Sequence, residues 1–255
     1  MVAVVGGLWR YPVKSMQGSP VERIELGLGG VEGDRQWGIV DAASDKVLTA
    51  KRWPALLEAS ARLDDEGVVI TLPDTTEWGS GDPATDKAVS AWLDHDVRLT
   101  HADAIAGTPY ELTMDPADDD SEPWDFATPP GSFVDLAAVH VVTTASLTAI
   151  GGEYPEGQWD VHRFRPTALV DTGEAAGFVE DGWVGTQVRL GGAVIEVFMP
   201  TPRCAMPGRA QPAHGLVRDL SIIRTVRDHH ENNLGIYATV AVAGPVEVGD
   251  PVGRT

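Results

Sequence analysis

With 255 residues, 43% of them hydrophobic and eight of them tryptophan, the chain can bury a sizeable core, as one large domain or two smaller ones packed together. Its 38 acidic and 19 basic residues leave a formal charge of -19, which argues against a nucleic-acid partner or an anionic membrane surface, since both are held by basic patches. Four of the basic residues are lysine and the rest arginine, the side chain suited to planar, bidentate contact with phosphate.

In chain order, residues 2–9 predict a first strand. No charged leader precedes its short apolar run, no cleavage-type segment follows, and no apolar run nears the roughly 20 residues that span a bilayer. A cytoplasmic protein without a membrane segment is therefore expected. Tyr11-Pro-Val-Lys-Ser15 reads as a proline-fixed loop carrying one cation, Lys14, and one hydroxyl, Ser15. Alternation in residues 21–26 predicts a half-buried strand, and glycines 27, 29, 30 and 33 break it. Residues 34–40 predict the next strand, with Arg35 at its start. Residues 59–63 and 68–72 flank 64–67 as a hairpin. Thr85 can cap a helix in which Ala88, Val89, Trp92 and Leu93 recur at helical spacing. Residues 114–125, with six acids and two prolines, read as an exposed connection between domains 1–113 and 114–255.

Residues 140–144 predict a short strand ending in hydroxyls, and 145–150 a helix stopped by Gly151-Gly152. A strand end entering a helix N-terminus suits an anion, which makes Thr144 and Ser146 candidates. If residues 162–170 are extended, Arg163 and Arg165 point the same way, toward an anionic target. Residues 188–190 and 193–198 bracket Gly191-Gly192 as a hairpin whose second strand leads into Met199-Pro-Thr-Pro-Arg-Cys204. The single cysteine excludes an internal disulfide and follows Thr201 and Arg203 in a stiff, proline-flanked segment. A neighbouring cation favours thiolate, the form that ligates metals or attacks electrophiles, yet a lone cysteine is more often a small buried hydrophobe. A helix around 217–228 and strands at 236–242 and 246–248 complete the chain, and Gly249-Asp250 reads as a turn. His229-His230 lacks partners at ligand spacing, and neither a phosphate loop, a dinucleotide fingerprint nor a GxSxG nucleophile is present.

Tyr11-Pro-Val-Lys-Ser15, Gly33-Asp-Arg35, Arg163-Phe-Arg-Pro166, Pro200-Thr-Pro-Arg-Cys204, Gly235-Ile-Tyr237 and Val248-Gly-Asp250 stand in the order and approximate spacing of MOSC proteins. The chain resembles the two-part kind, an N-terminal MOSC β-barrel domain followed by the MOSC domain proper, as in the mitochondrial amidoxime reducing component and its bacterial relatives. The resemblance implies a mostly β fold with some helices (α+β), the first domain packed on the second. It also implies a molybdenum cofactor, a pyranopterin bearing a phosphate and a dithiolene that holds molybdenum. By motif match Cys204 is the metal ligand, and Lys14, Ser15, Arg35 and Arg165 are cofactor contacts. Thr144, Ser146, Arg163, Thr201 and Arg203 join them as candidates argued from position.

The implied activity is an oxidoreductase that removes oxygen from a small N-oxygenated substrate, with electrons from a separate reductase or ferredoxin-like protein. The alternative is a cofactor carrier or sulfur-transfer protein in which Cys204 carries a persulfide. Two departures bear on this. The amidoxime-reducing branch continues past the cysteine with a Thr-Thr-Val-Asp-Pro type segment, whereas here Ala205-Met-Pro-Gly-Arg-Ala-Gln-Pro212 follows, as in another bacterial branch. The cluster cysteines of a ferredoxin-like extension, which some bacterial relatives carry, are also missing, because one cysteine cannot hold a four-cysteine cluster.

Overall fold

Seven strands close into a barrel: β1 (Ala3–Arg10), β2 (Val139–Thr143), β3 (Ala168–Asp171), β4 (Gln187–Leu190), β5 (Ala193–Pro202), β6 (Asn233–Val242) and β7 (Pro251–Arg254). The structure is a computed structural model and describes residues 3–105, 109–112, 124–127 and 131–255. Around the barrel the order is β1-β3-β2-β6-β5-β4-β7 and back to β1. Only β2 and β3 run parallel. Alternating side chains fill the interior: Val139 and Val141 of β2, Ile195 and Val197 of β5, Ile236 and Ala238 of β6. Each large aliphatic group withdrawn from water stabilises the barrel by about 1.5–3 kcal/mol. The opposite faces are then free for other work, and His140 and Tyr237 project from β2 and β6 away from the barrel interior into a cleft.

Three helices complete the described chain: α1 (Thr85–Leu93), α2 (Thr144–Glu153) and α3 (Ser221–His229). The last two cover the barrel wall, packing Ile150, Ile222 and Val226 against Val142 and Leu234. α1 and several short sheets surround a second core that includes Val13, Ile39, Leu56, Leu57, Ile70 and Val89. The two cores are woven together. β1 belongs to the barrel although the rest of the barrel lies beyond residue 138, Arg23–Gly27 pairs with Gly244–Glu247, and Gln17 Nε2 donates to Gln211 Oε1 at 3.0 Å in a buried contact. The mostly β fold with helices is the one expected from sequence. The acidic connection and the division expected at residues 113/114 lie outside the described residues, apart from Trp124 and Asp125.

Several local expectations are corrected. Arg35 does not begin a strand; it sits in a turn at φ 51°, and the strand runs Trp37–Asp41. Residues 162–170 are not extended throughout, because Asp160 caps a short 3-10 turn at Val161–Arg163 and β3 begins only at Ala168. α2 does not stop at Gly151-Gly152 but continues to Glu153; Gly151 lies where an added Cβ would come within 3.3 Å of the Trp159 ring, so packing outweighs its poor helix propensity. Thr85 is a helix residue rather than the cap, its hydroxyl donating to the Gly79 carbonyl at 2.6 Å. α3 starts at Ser221, later than the expected 217, and β7 was not anticipated. No helix among the described residues is long and apolar enough to cross a membrane.

Candidate functional site

The cleft lies where the loop after β1, the turn around Arg35, the segment 131–138 and the end of β5 converge, and it encloses about 830 Å³ including the space at its mouth. Tyr11 anchors it. Its N–H donates to Asp34 Oδ1 at 2.7 Å, and its carbonyl accepts from the Arg35 N–H at 2.7 Å, so the loop and the turn are zipped together. The Arg35 and Arg165 guanidinium carbons lie 4.8 and 4.4 Å from the Tyr11 ring centroid, a pair of cation–π contacts on one buried ring. Arg35 is paired with the buried Asp34 carboxylate. Arg165 has no such partner among the described residues: its Nη1 is buried without a hydrogen bond there, and burial together with the Arg35 charge pulls its pKa down to about 10.

Three cleft residues, Ser15, Arg35 and Arg165, adopt left-handed backbone at φ 68°, 51° and 52°. Each costs on the order of 1 kcal/mol or more for a side chain with a Cβ, and such strain persists where the surroundings over-determine it. Here they do. Ser15 Oγ accepts the Ala50 N–H at 2.9 Å, and the Arg35 carbonyl accepts from Phe133 N–H at 2.7 Å. Lys14 Nζ donates to the Phe133 carbonyl and to Asp135 Oδ1, both at 2.6 Å; burial lowers its pKa even against the pull of Asp135.

Cys204, partly exposed, follows the end of β5, where ladder irregularities between Val197 and Met199 and between Pro200 and Pro202 turn the strand toward the cleft. The residue before it is tightly held: Arg203 Nη2 donates to the Phe164 carbonyl at 3.1 Å and Nη1 lies 3.2 Å from His140 Nε2. That bond needs a neutral imidazole with its lone pair on Nε2, and burial, with Arg203 and Arg35 nearby, holds the His140 pKa well below the ordinary histidine value. The His140 ring meets Tyr237 edge-on at 5.5 Å, and burial raises the Tyr237 phenol to about 12.

The structure brings Lys14, Ser15, Arg35, Arg163, Arg165, Arg203 and Cys204 to one cleft. Arg163 is spent on the chain itself: its nitrogens donate to the carbonyls of Gln158, Pro207, Arg209 and Val217 at 2.7–3.2 Å, so it fastens the segment that follows Cys204. Thr144, Ser146 and Thr201 are not brought there. Thr144 Oγ1 meets Thr172 Oγ1 at 3.1 Å, Ser146 Oγ donates to the buried Glu180 at 2.5 Å, and Thr201 is buried in β5. Sequence reading missed Thr49, Lys51, Asp135, His140 and Tyr237, all of which line the cleft. Lys51 had one signal, being among only four lysines, and Tyr237 another, standing in the Gly235-Ile-Tyr237 motif; His140 looked like an ordinary strand residue.

The MOSC N-terminal beta barrel domain family matches residues 2–107, and the MOSC domain family matches residues 129–253. Mitochondrial amidoxime reducing component 2 from Bos taurus is 25% identical over 98% of this chain and 83% of its own length, and the Homo sapiens protein is 25% identical over 99% and 84%. Among solved structures, the YUAD protein from Bacillus subtilis aligns with a TM-score of 0.52 at 12% identity, over 99% of this chain and 94% of that one, a likeness of fold.

Proposed function

Because the chain belongs to the MOSC family, with a MOSC N-terminal β-barrel domain ahead of a MOSC domain, we propose that its cleft holds a molybdenum cofactor and that the protein is a cytoplasmic oxidoreductase acting on small N-hydroxylated substrates. The observation that carries this reading is the meeting of one partly exposed thiol, Cys204, with buried cations that outnumber the carboxylates beside them. Burying such a surplus carries a desolvation cost, and Arg165, whose Nη1 meets no hydrogen-bond partner among the described residues, is well placed to take an anion from outside. A phosphate-bearing pterin fits it.

The donor set also fits. No group of three or more His, Cys, Asp or Glu able to hold a metal ion occurs among the described residues. A bare ion therefore has no cage there, whereas a metal that arrives with its own sulfur ligands needs only one soft thiolate from the protein. When bound, the cofactor supplies the two-electron centre at which an N–OH group becomes N–H and water, with two electrons and two protons consumed. In this reading Arg165 and Arg35 hold the phosphate, Lys14 adds charge, and Cys204 is the protein's metal ligand. The Tyr237 phenol stays protonated at neutral pH and can donate a hydrogen bond beside the thiol, whereas neutral His140 serves as an acceptor that fixes Arg203.

Electrons come from a separate reductase or ferredoxin-like protein, since the single cysteine cannot carry an iron–sulfur cluster. The relatives' printed name, a reducing component, fits a protein supplied by another. The test is turnover of N-hydroxylated compounds by the cofactor-loaded protein with a reduced viologen. The reading expects reduction by the parent and none by Cys204→Ser. A loaded parent that reduces nothing and carries a Cys204 persulfide would instead identify a sulfur carrier.

A further inference from the structure

Cys204 borders two lobes of the cleft. The inner one contains Arg35 and Arg165; the outer one lacks them, shares Lys51, Asp135, Leu136, Arg203 and Tyr237 with the inner one, and adds Asn232. In the outer lobe Lys51 is only 5% exposed, and its ammonium has no hydrogen-bond or ion-pair partner among the described residues. Its backbone is pinned by Arg209, which donates to the Lys51 carbonyl at 2.6 Å, so the side chain is presented from a fixed point. Arg203 brings a second positive charge to the same lobe, with its Nε–H buried and unmet. The one carboxylate bordering the lobe among the described residues, Asp135, already faces Lys14 at 2.6 Å. Asn232 adds the complementary feature: its Nδ2 is used, but its Oδ1 is a buried acceptor without a donor.

A lysine only 5% exposed, with no counter-charge paired to it among the described residues, is a place where an anion gains a charge-assisted contact. The phosphate of the proposed cofactor belongs with Arg35 and Arg165, which leaves the Lys51 charge for something else. We infer that the outer lobe is a substrate subsite for a carboxylate, held by Lys51 and Arg203, with Asn232 accepting an N–H of the same molecule. The substrates of this chain are then N-hydroxylated amines that carry a carboxylate close to the N–O group. A singly charged, planar anion suits a lobe that also presents Leu136, Pro202 and the Asp135 carboxylate; a dianion suits the two-arginine inner lobe. This inference rests on the reading of the inner lobe as the cofactor's place.

Two measurements test it, and they fail separately. In the first, the kcat/KM ratio for N-hydroxyglycine over N-methylhydroxylamine is compared between the parent, Lys51→Gln and Lys51→Arg, all cofactor-loaded, with reduced viologen. A preference for N-hydroxyglycine that drops at least tenfold in Lys51→Gln and recovers in Lys51→Arg supports the subsite; an unchanged ratio overturns it. The second needs no turnover: the rate of Cys204 alkylation by iodoacetamide is followed with N-hydroxyglycine or inorganic phosphate added at matched ionic strength. Protection by N-hydroxyglycine that disappears in Lys51→Gln supports the subsite even if neither compound is reduced, a result that would count against the proposed reaction alone. Equal protection of both proteins, stronger protection by phosphate, or loss of pterin from Lys51→Gln would assign Lys51 to another role and overturn the inference.

Discussion

Asn232 grips Arg203 at both ends of its backbone: the Arg203 N–H donates to the Asn232 carbonyl at 2.8 Å, and Asn232 Nδ2 donates to the Arg203 carbonyl at 2.8 Å. Asn232 reaches this position in left-handed backbone at φ 62°, a conformation that asparagine tolerates better than most residues. With the guanidinium anchored on Phe164 and His140, the peptide immediately before Cys204 is fixed from two directions.

Asn232→Gly keeps the backbone geometry and loses one hydrogen bond, so Cys204 should be alkylated several-fold faster with about 1 kcal/mol of lost stability. Asn232→Ala should lose roughly 1 kcal/mol more, because its Cβ is strained at this φ. Iodoacetamide kinetics and urea unfolding of both variants check this; unchanged rates in both would mean the grip does not orient the thiol.

Arg165 illustrates a conflict between stability and binding. Replacing it with methionine removes a buried charge, without a carboxylate partner among the described residues, that sits with Arg35 over one ring. The cofactor-free protein should be as stable as the parent or about 1 kcal/mol more stable, while pterin retention is lost. Denaturant midpoints and pterin content after desalting measure the two effects, and a clear destabilisation without loss of pterin would contradict the assignment.

His140 sets an acid limit. Its folded pKa lies well below the ordinary value near 6.5, so below that pH the unfolded chain binds a proton that the folded chain does not. Stability is therefore fully present above about pH 6.5 and falls as pH drops, at about 1.4 kcal/mol per pH unit for this one group once it is fully protonated in the unfolded state. Unfolding free energies at pH 7.0, 6.0 and 5.0 should show a shallower acid slope for His140→Leu than for the parent, and equal slopes would remove His140 from the account.

Gly235 supports the same histidine from behind. At φ 84° an added Cβ would come within 2.5 Å of the Val141 carbonyl and 2.8 Å of His140 Nε2. Gly235→Ala should cost about 2–4 kcal/mol and loosen the hold on Arg203, which thermal unfolding together with Cys204 alkylation would register.

How far the sequence foretold this is visible residue by residue. The tight hairpin in which Asp64 pairs with Gly67, and the β4–β5 hairpin at Gly191-Gly192, follow from turn residues between alternating runs, which are local signals. Closure of the barrel by β1 against β3 and β7 is non-local and left no local mark. The same divide runs through the site. Lys14, Arg35, Arg165 and Cys204 stand out as charged or unique residues in glycine- and proline-rich segments. Arg163 looked equivalent to Arg165, and only the 3-10 turn that Arg163 closes separates a structural clamp from a cleft cation. Asn232 and His140 act through hydrogen bonds to a residue distant in sequence, which no pattern in one chain encodes.

Electron supply gives a further expectation. The loaded protein should turn over with reduced viologen but not with NADH or NADPH alone, and cell extract should restore pyridine-nucleotide-driven turnover through a docking partner. The -19 charge favours a basic docking surface, so that coupling should weaken as salt rises. NADH-driven turnover by the isolated chain would contradict the requirement for a separate reductase.

The central claim, that Cys204 and the cation cluster hold a molybdenum cofactor, is tested most directly by molybdenum and pterin analysis of protein purified from a host that makes the cofactor, with Cys204→Ser alongside and circular dichroism to confirm folding. The account predicts stoichiometric molybdenum and pterin in the parent and loss of molybdenum from a folded Cys204→Ser. A parent free of both, or a Cys204→Ser protein with full molybdenum occupancy, would contradict it.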